Sequence, residues 1–260
     1  MNRKKLTKLT ALALALVMVL GLLAGCGSSN ADSSTDNSGG DTAKLVVATS
    51  PDFPPFESLE GGEVVGIEVD ILKLIAEKMG MELDIQQMDF DSVIPGVQAG
   101  KFDVGMSGIT VTDKRKENVD FSSVYFMAAQ AIVVSADSGI TGKADLEGKK
   151  VSVQTGTTAE DYCMANGYEV LAFTANNDAA SALTGGKVDA WVVDNEVALA
   201  MAPDLGLTVL DEAMTAEPYA FAFQKGSELV APFNEALDAL LADGTVEKIF
   251  SDYGVTYVGP

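Results

Sequence analysis

The chain has 260 residues, with 17 Lys+Arg against 38 Asp+Glu, no histidine and a formal net charge of −21. So acidic a protein lacks the basic footprint that nucleic acid demands. With no imidazole, neither a Ser-His-Asp relay nor a histidine metal site can be built, and no metal or other cofactor is expected.

Arg3, Lys4, Lys5 and Lys8 precede an apolar or small stretch from Ala11 to Gly25. This is the pattern of a secretory signal peptide, too short and wrongly flanked for a membrane-spanning helix. Its ending, Leu23-Ala24-Gly25-Cys26, resembles a bacterial lipobox. Cleavage there would leave Cys26 as a lipid-carrying N-terminus, so residues 1–25 read as leader. Residues 26–43 then hold no large apolar side chain and read as a flexible tether. Only Cys163 remains as a thiol, read as a small buried hydrophobe. Nothing after Cys26 is long and apolar enough to span a bilayer, which excludes a channel-gating domain.

The body, Lys44 to Pro260, alternates strands and helices. Lys44 to Thr49 is a strand and Val64 to Ile67 a second, short one. From Val69 to Met79, the apolar residues Ile71, Leu74, Ile75 and Met79 share one helical face, and Gly80 ends the helix. Met81, Leu83 and Ile85 alternate with polar residues in a further strand. Asp91 or Ser92 caps the next helix, which is expected to tolerate Pro95 near its first turn. Phe102 to Met106 is a buried strand, and Thr112-Asp113 a helix start. The order predicts an α/β fold with largely parallel sheets, whose ligands sit beyond the carboxyl ends of the strands.

The second half repeats this plan. Lys150 to Val153 is a strand leading into Gln154-Thr155-Gly156-Thr157-Thr158 and a helix through Ala165. Glu169 to Phe173 is a strand, Asp178 to Leu183 a helix, and Val188 to Val193 a strand ending at Asp194. Gly100-Lys101-Phe102-Asp103-Val104 is echoed by Gly186-Lys187-Val188-Asp189-Ala190 in the same position between helix and strand. Each half therefore has its own sheet.

Ser107 to Arg115 places hydroxyls, a glycine and a guanidinium just past a strand. Free N–H groups at Gly108 and at the following helix start would face an anion, with Arg115 adding a paired contact. The same residues suit an ordinary turn before a surface helix. Set against Asp194 beyond the other sheet, however, they read as a clamp for a zwitterion, Arg115 taking a carboxylate and Asp194 an ammonium. Each charge-assisted hydrogen bond is worth about 1.5–3 kcal/mol, enough in combination for micromolar binding at about −8 kcal/mol.

Six motifs in order carry a resemblance: Phe53-Pro54-Pro55-Phe56-Glu57, Val65-Gly66-Ile67-Glu68-Val69-Asp70, Asp89-Phe90-Asp91-Ser92-Val93-Ile94-Pro95, Gly108 to Arg115, Val119-Asp120-Phe121-Ser122, and Gln154 to Thr158. With these the body resembles extracellular solute-binding proteins of family 3, the amino-acid receptors of ABC importers with the type II periplasmic-binding fold. The resemblance implies two lobes, residues 44–130 with 220–260 and residues 131–219, joined by two hinge strands, and helices from Glu228 to Leu241 and Val246 to Tyr253.

It also implies roles. Arg115 matches the arginine for the ligand carboxylate, aided by Thr110 and the backbone around Gly108. Thr158, with Thr157 beside it, matches a second carboxylate donor, and Asp194 the acid for the α-amino group. Ser107 lies where a small pocket residue sits. Phe53 and Phe90 match aromatics that sandwich the ligand side chain, while Phe56 reads as core. Members that take basic ligands often carry an acid where this chain has Ser50. A neutral polar ligand is therefore expected first and a basic one next. Gln130 and Gln154 are candidate pocket amides. The implied protein is not an enzyme. It is expected to act as a monomer, lipid-anchored on the outer face of the bacterial cytoplasmic membrane, passing its amino acid to ABC permease subunits. An amino-acid-sensing or adhesion lipoprotein is the alternative, and a dehydratase on the same fold a remoter one.

Overall fold

A computed structural model describes residues 42–260 of the chain; the leader, Cys26 and residues 27–41 of the tether lie outside the described residues. The first elements are β1 (Lys44–Thr49) and a small antiparallel sheet of β2 (Asp52–Phe53), β3 (Glu57–Glu60) and β4 (Glu63–Val65). Helix α1 (Ile67–Met79) follows, burying Ile71, Leu72 and Ile75 and ending on Gly80 at φ 66°, a left-handed turn that glycine takes without steric cost. Next come β5 (Glu82–Gln87), α2 (Phe90–Gln98), β6 (Val104–Gly105), α3 (Asp113–Lys116) and β7 (Val119–Phe121).

Helix α2 departs from expectation. It starts at Phe90 with Asp89 as its N-cap, so Pro95 is interior and lies past the first turn. Pro95 is exposed, which leaves the carbonyl one turn earlier, deprived of its N–H partner, free to take water instead.

The chain then crosses through β8 (Phe126–Ala128) into β9 (Gln130–Ser135). The second lobe continues through β10 (Lys150–Gln154), α4 (Thr158–Ala165), β11 (Glu169–Phe173), α5 (Asn176–Thr184), β12 (Ala190–Asp194), α6 (Asn195–Met201) and β13 (Leu207–Val209). Return is through β14 (Glu217–Tyr219), β15 (Ala222–Gln224), α7 (Val230–Ala242) and α8 (Thr245–Asp252).

Two five-stranded sheets result, ordered β5-β1-β6-β15-β7 and β11-β10-β12-β9-β13. In the first, β1 is parallel to β5 and β6, and β15 runs against β6 and β7. In the second, β10 is parallel to β11 and β12, and β9 runs against β12 and β13. The reversed strand of each sheet is thus the one that follows a crossing. The crossing strands β8 and β14 pair with each other, Met127 opposite Pro218. Beside them Phe126 stacks on Phe250 at 4.5 Å between ring centroids, and Phe56 meets Tyr219 at 5.3 Å, which puts Phe56 in the core as expected.

The internal echo has a structural counterpart. Asp103 Oδ2 accepts the Val46 N–H at 2.8 Å while its own N–H donates to the Val46 carbonyl at 2.8 Å. Asp189 Oδ2 accepts the Lys150 N–H at 2.8 Å, with its N–H donating to the Lys150 carbonyl at 2.7 Å. The two lobes therefore use the same two-bond device to seat a helix-to-strand turn against the neighbouring strand. Cys163 is fully buried, and burial pushes its thiol up to about 12, far from a reactive thiolate.

Candidate functional site

The carboxyl ends of β6, β10 and β12 face one another across the cleft, and between them lies a small cavity. Its lining brings together Phe53, Phe90, Ser107, Gly108, Thr110, Arg115, Thr157, Thr158 and Asp194, nine of the residues singled out from the sequence. The remaining wall is Gln154, Ala159, Asn176, Val192 and Val193.

One end of the cavity is positive. Thr112 caps α3 by accepting the Arg115 N–H at 3.1 Å, which fixes the backbone from which the guanidinium projects. Arg115 Nη1 donates to the Thr110 carbonyl at 2.9 Å, and its Cζ sits 5.6 Å from the centre of the Phe90 ring, a cation–π distance. Burial lowers the Arg115 pKa, against the charges of Glu217, Asp161 and Asp194, which raise it. From the second lobe, α4 aims its N-terminus at the same cavity. Its cap is reciprocal: Thr157 Oγ1 accepts the Glu160 N–H at 3.2 Å, and Glu160 Oε2 accepts the Gly156 N–H at 2.7 Å. That leaves the N–H groups of Thr158 and Ala159, which no helix carbonyl can satisfy, beside the cavity.

The other charge is Asp194, at the end of β12. It is buried, accepts a hydrogen bond from the Tyr219 hydroxyl, and has its pKa raised to about 8 by burial and, next, by the charge of Glu217. Tyr219 comes from the returning crossing strand, so the hinge itself touches the acid.

One expectation about the loop between Phe102 and Arg115 requires correction. The Gly108 N–H is not free: it donates to Glu68 Oε2 at 3.0 Å. Gly108 lines the cavity because only glycine fits there, its φ being +52° and an added Cβ lying 2.5 Å from Phe53 Cε1. Ser107 likewise turns its hydroxyl to Glu57 Oε1 at 2.7 Å. Glu57 is fully buried, and burial together with the Glu68 charge holds its pKa well above the ordinary carboxylate range. Tyr125 donates to the other oxygen of Glu68. A buried acid pair thus supports the loop from behind.

Ser50 is the second correction among the site residues. It lines a separate recess with Pro51, Asp52 and Met88. Its hydroxyl donates to Asp52 Oδ1 at 3.0 Å and its N–H to Ser107 Oγ at 3.1 Å, so neither is directed to the closed cavity. Of the two glutamines, Gln154 lines the cavity, whereas Gln130 stands behind the wall, donating to Thr158 Oγ1 at 2.9 Å. Asn176 was missed because the helix was expected to start at Asp178; α5 starts two residues earlier. The rule that helix starts beyond strand ends face the ligand would have found it.

Fold and site together define a two-lobed solute-binding protein with a polar, internally charged cavity. The chain belongs to the bacterial extracellular solute-binding proteins, family 3, whose model matches residues 45–256. It is 36% identical over 235 residues to the arginine-binding extracellular protein ArtP of Bacillus subtilis (strain 168), covering 87% of this chain and 90% of that protein. Two solved structures of an ancestral arginine-binding protein are also similar. The glutamine-bound form has 41% identity and a TM-score of 0.77, with 82% of this chain and 99% of that one covered. The arginine-bound form has 42% identity and a TM-score of 0.76, with 81% and 98% covered.

Proposed function

We propose that this chain captures a free α-amino acid with a neutral polar side chain, or next a cationic one, and delivers it to the permease subunits of an ABC importer. The observation that carries this reading is the charge arrangement of the closed cavity. Arg115, Thr110 and the α4 N-terminus take the α-carboxylate, and Asp194 takes the α-ammonium. Thr157 and the backbone of Ser107 complete the wall around this constant end of the ligand, while Phe53 and Phe90 flank the side chain. Gln154 and Asn176, bonded to each other, form the amide wall beside it. Among the cavity's residues Arg115 is the sole cation, and it is engaged by the carboxylate, so an acidic side chain has no partner. The similarity to an ancestral arginine-binding protein solved with glutamine and with arginine supports both ligand classes.

The lobes, 44–130 with 220–260 and 131–219, swing on β8 and β14 and close over the amino acid, and the permease reads the closed form. No chemical step is performed on the ligand. Cys26, lipid-modified, holds the monomer to the outer face of the cytoplasmic membrane, with the tether giving it reach. A thermal-shift panel of the common amino acids tests the reading, because a ligand present at 100 times its Kd stabilises by about 2.7 kcal/mol. Polar and cationic amino acids raise the melting temperature and acidic ones do not. A panel without any shift contradicts it.

A further inference from the structure

Helix α5 begins without a cap of its own. Its N-cap residue is Ala175, whose side chain has no oxygen to offer, and no side-chain cap bond is made within the helix. The missing acceptor comes from the opposite lobe: Asp52 Oδ2, on β2, accepts the Asn176 N–H at 2.7 Å. The same carboxylate reaches Gln154 Nε2 at 3.3 and 3.4 Å. Gln154 in turn accepts from Asn176 Nδ2 at 2.9 Å and donates to the Thr174 carbonyl at 3.1 Å, which locks the receiving surface in one geometry. Gln154 and Asn176 are 3% and 1% exposed, so the Asn176 N–H has little alternative to Asp52 when the cleft is shut.

We propose that Asp52 is a closing latch, a first-lobe carboxylate that caps a second-lobe helix in trans and so stabilises the closed form directly, without contacting the ligand. Asp52 lines the outer recess and not the ligand cavity, which separates it from the clamp residues. Opening the cleft strips the cap from α5 and returns the Asn176 N–H and the Gln154 amide to water. Closure is therefore worth more to this protein than the ligand alone supplies. This deepens the amino-acid-binding reading and rests on it for its affinity test.

The consequence is specific. A latch multiplies the closing equilibrium, so its loss weakens every ligand by the same factor, whereas loss of a residue that reads the ligand's side chain weakens some ligands and spares others. Asp52→Ala and the closer isostere Asp52→Asn are titrated with a series of amino acids by calorimetry. The expected result is a uniform loss of about ten- to a hundred-fold for Asp52→Ala, from one charge-assisted bond and its weaker neighbours. Adding Ala175→Asp to Asp52→Ala gives α5 a cap of its own; thermal stability then recovers while affinity does not. Pulsed electron-spin distances between labels at positions 77 and 187, one in each lobe, shift toward the open form in the Asp52 variants even without ligand. A loss confined to particular side chains, recovery of affinity in the double variant, or unchanged affinity overturns the latch. If the wild-type protein binds no amino acid, the binding reading fails, and the distances alone decide the latch: a shift supports it and an unchanged distribution overturns it.

Discussion

Arg115 Nη2 donates to the Gly156 carbonyl at 3.1 Å, and Nη1 of the same guanidinium donates to the Thr110 carbonyl at 2.9 Å. One side chain therefore joins the first-lobe loop to the turn before α4 while presenting its charge to the cavity. Lysine has no planar fork and cannot hold both carbonyls and an anion at once. Arg115→Lys is expected to weaken amino-acid binding by about a hundred-fold, the equivalent of about 3 kcal/mol. Arg115→Ala is expected to abolish it. Calorimetry on both variants checks this, and near-native affinity in Arg115→Lys contradicts a fork-dependent contact.

Asp194 sets a pH dependence. With its pKa at about 8 in the ligand-free cavity, the acid is largely protonated at pH 6.5, and an arriving ammonium favours the ionised form. The complex then binds fewer protons than its parts, so affinity rises with pH up to about 8 and falls again at higher pH, where the ligand's own ammonium loses its proton. At pH 6.5, titration in buffers of different ionisation enthalpy should report release of about one proton. A buffer-independent enthalpy contradicts this assignment.

The same shift makes Asp194 a liability for stability. An ordinary aspartate near 3.8 in the unfolded chain and about 8 in the fold means that the native state holds the extra proton between those values. Its contribution is fully present below the lower value and is lost as pH rises through the upper one. Asp194→Asn keeps the neutral form at all pH. It should raise the melting temperature of the ligand-free protein at pH 8, have little effect at pH 4, and remove binding, a trade of stability against function.

The buried acid pair behind the loop should respond asymmetrically. Burial and the Glu68 charge hold the Glu57 pKa well above the ordinary carboxylate range, so Glu57→Gln, which removes the titratable group, should change stability little. Glu68 accepts from both the Gly108 N–H and the Tyr125 hydroxyl, so Glu68→Gln turns an acceptor into a donor facing a donor. A cost of about 1–3 kcal/mol is expected, read by urea denaturation. Equal costs for the two variants contradict this asymmetry.

What was legible in the sequence was local. The Thr112 cap, the Gly80 stop and Asp194 at a strand end each rest on a few adjacent residues, and all three stand as read. The echo of Asp103 and Asp189 was legible as pattern, though not as the strand-pairing device it is. What escaped lies between distant parts of the chain. Asp52 meets Asn176 across 124 positions, and Ser107 meets Glu57 across 50, so no window of sequence displays either pair. The Gly108 N–H was misread for the same reason, since its acceptor, Glu68, belongs to a helix 40 residues away. Ser50 was assigned by position in a motif, whereas its orientation depends on Asp52 and Ser107.

The central claim is that Arg115 and Asp194 hold the two ends of one free amino acid. Its most direct test is calorimetric titration of the ligand-stripped protein with the common amino acids, beside Arg115→Ala and Asp194→Ala. Micromolar or tighter binding of at least one polar or cationic amino acid by the native chain is expected, with no measurable heat from either variant. Near-native affinity in either variant, or no binding of any amino acid by the native chain, would contradict it.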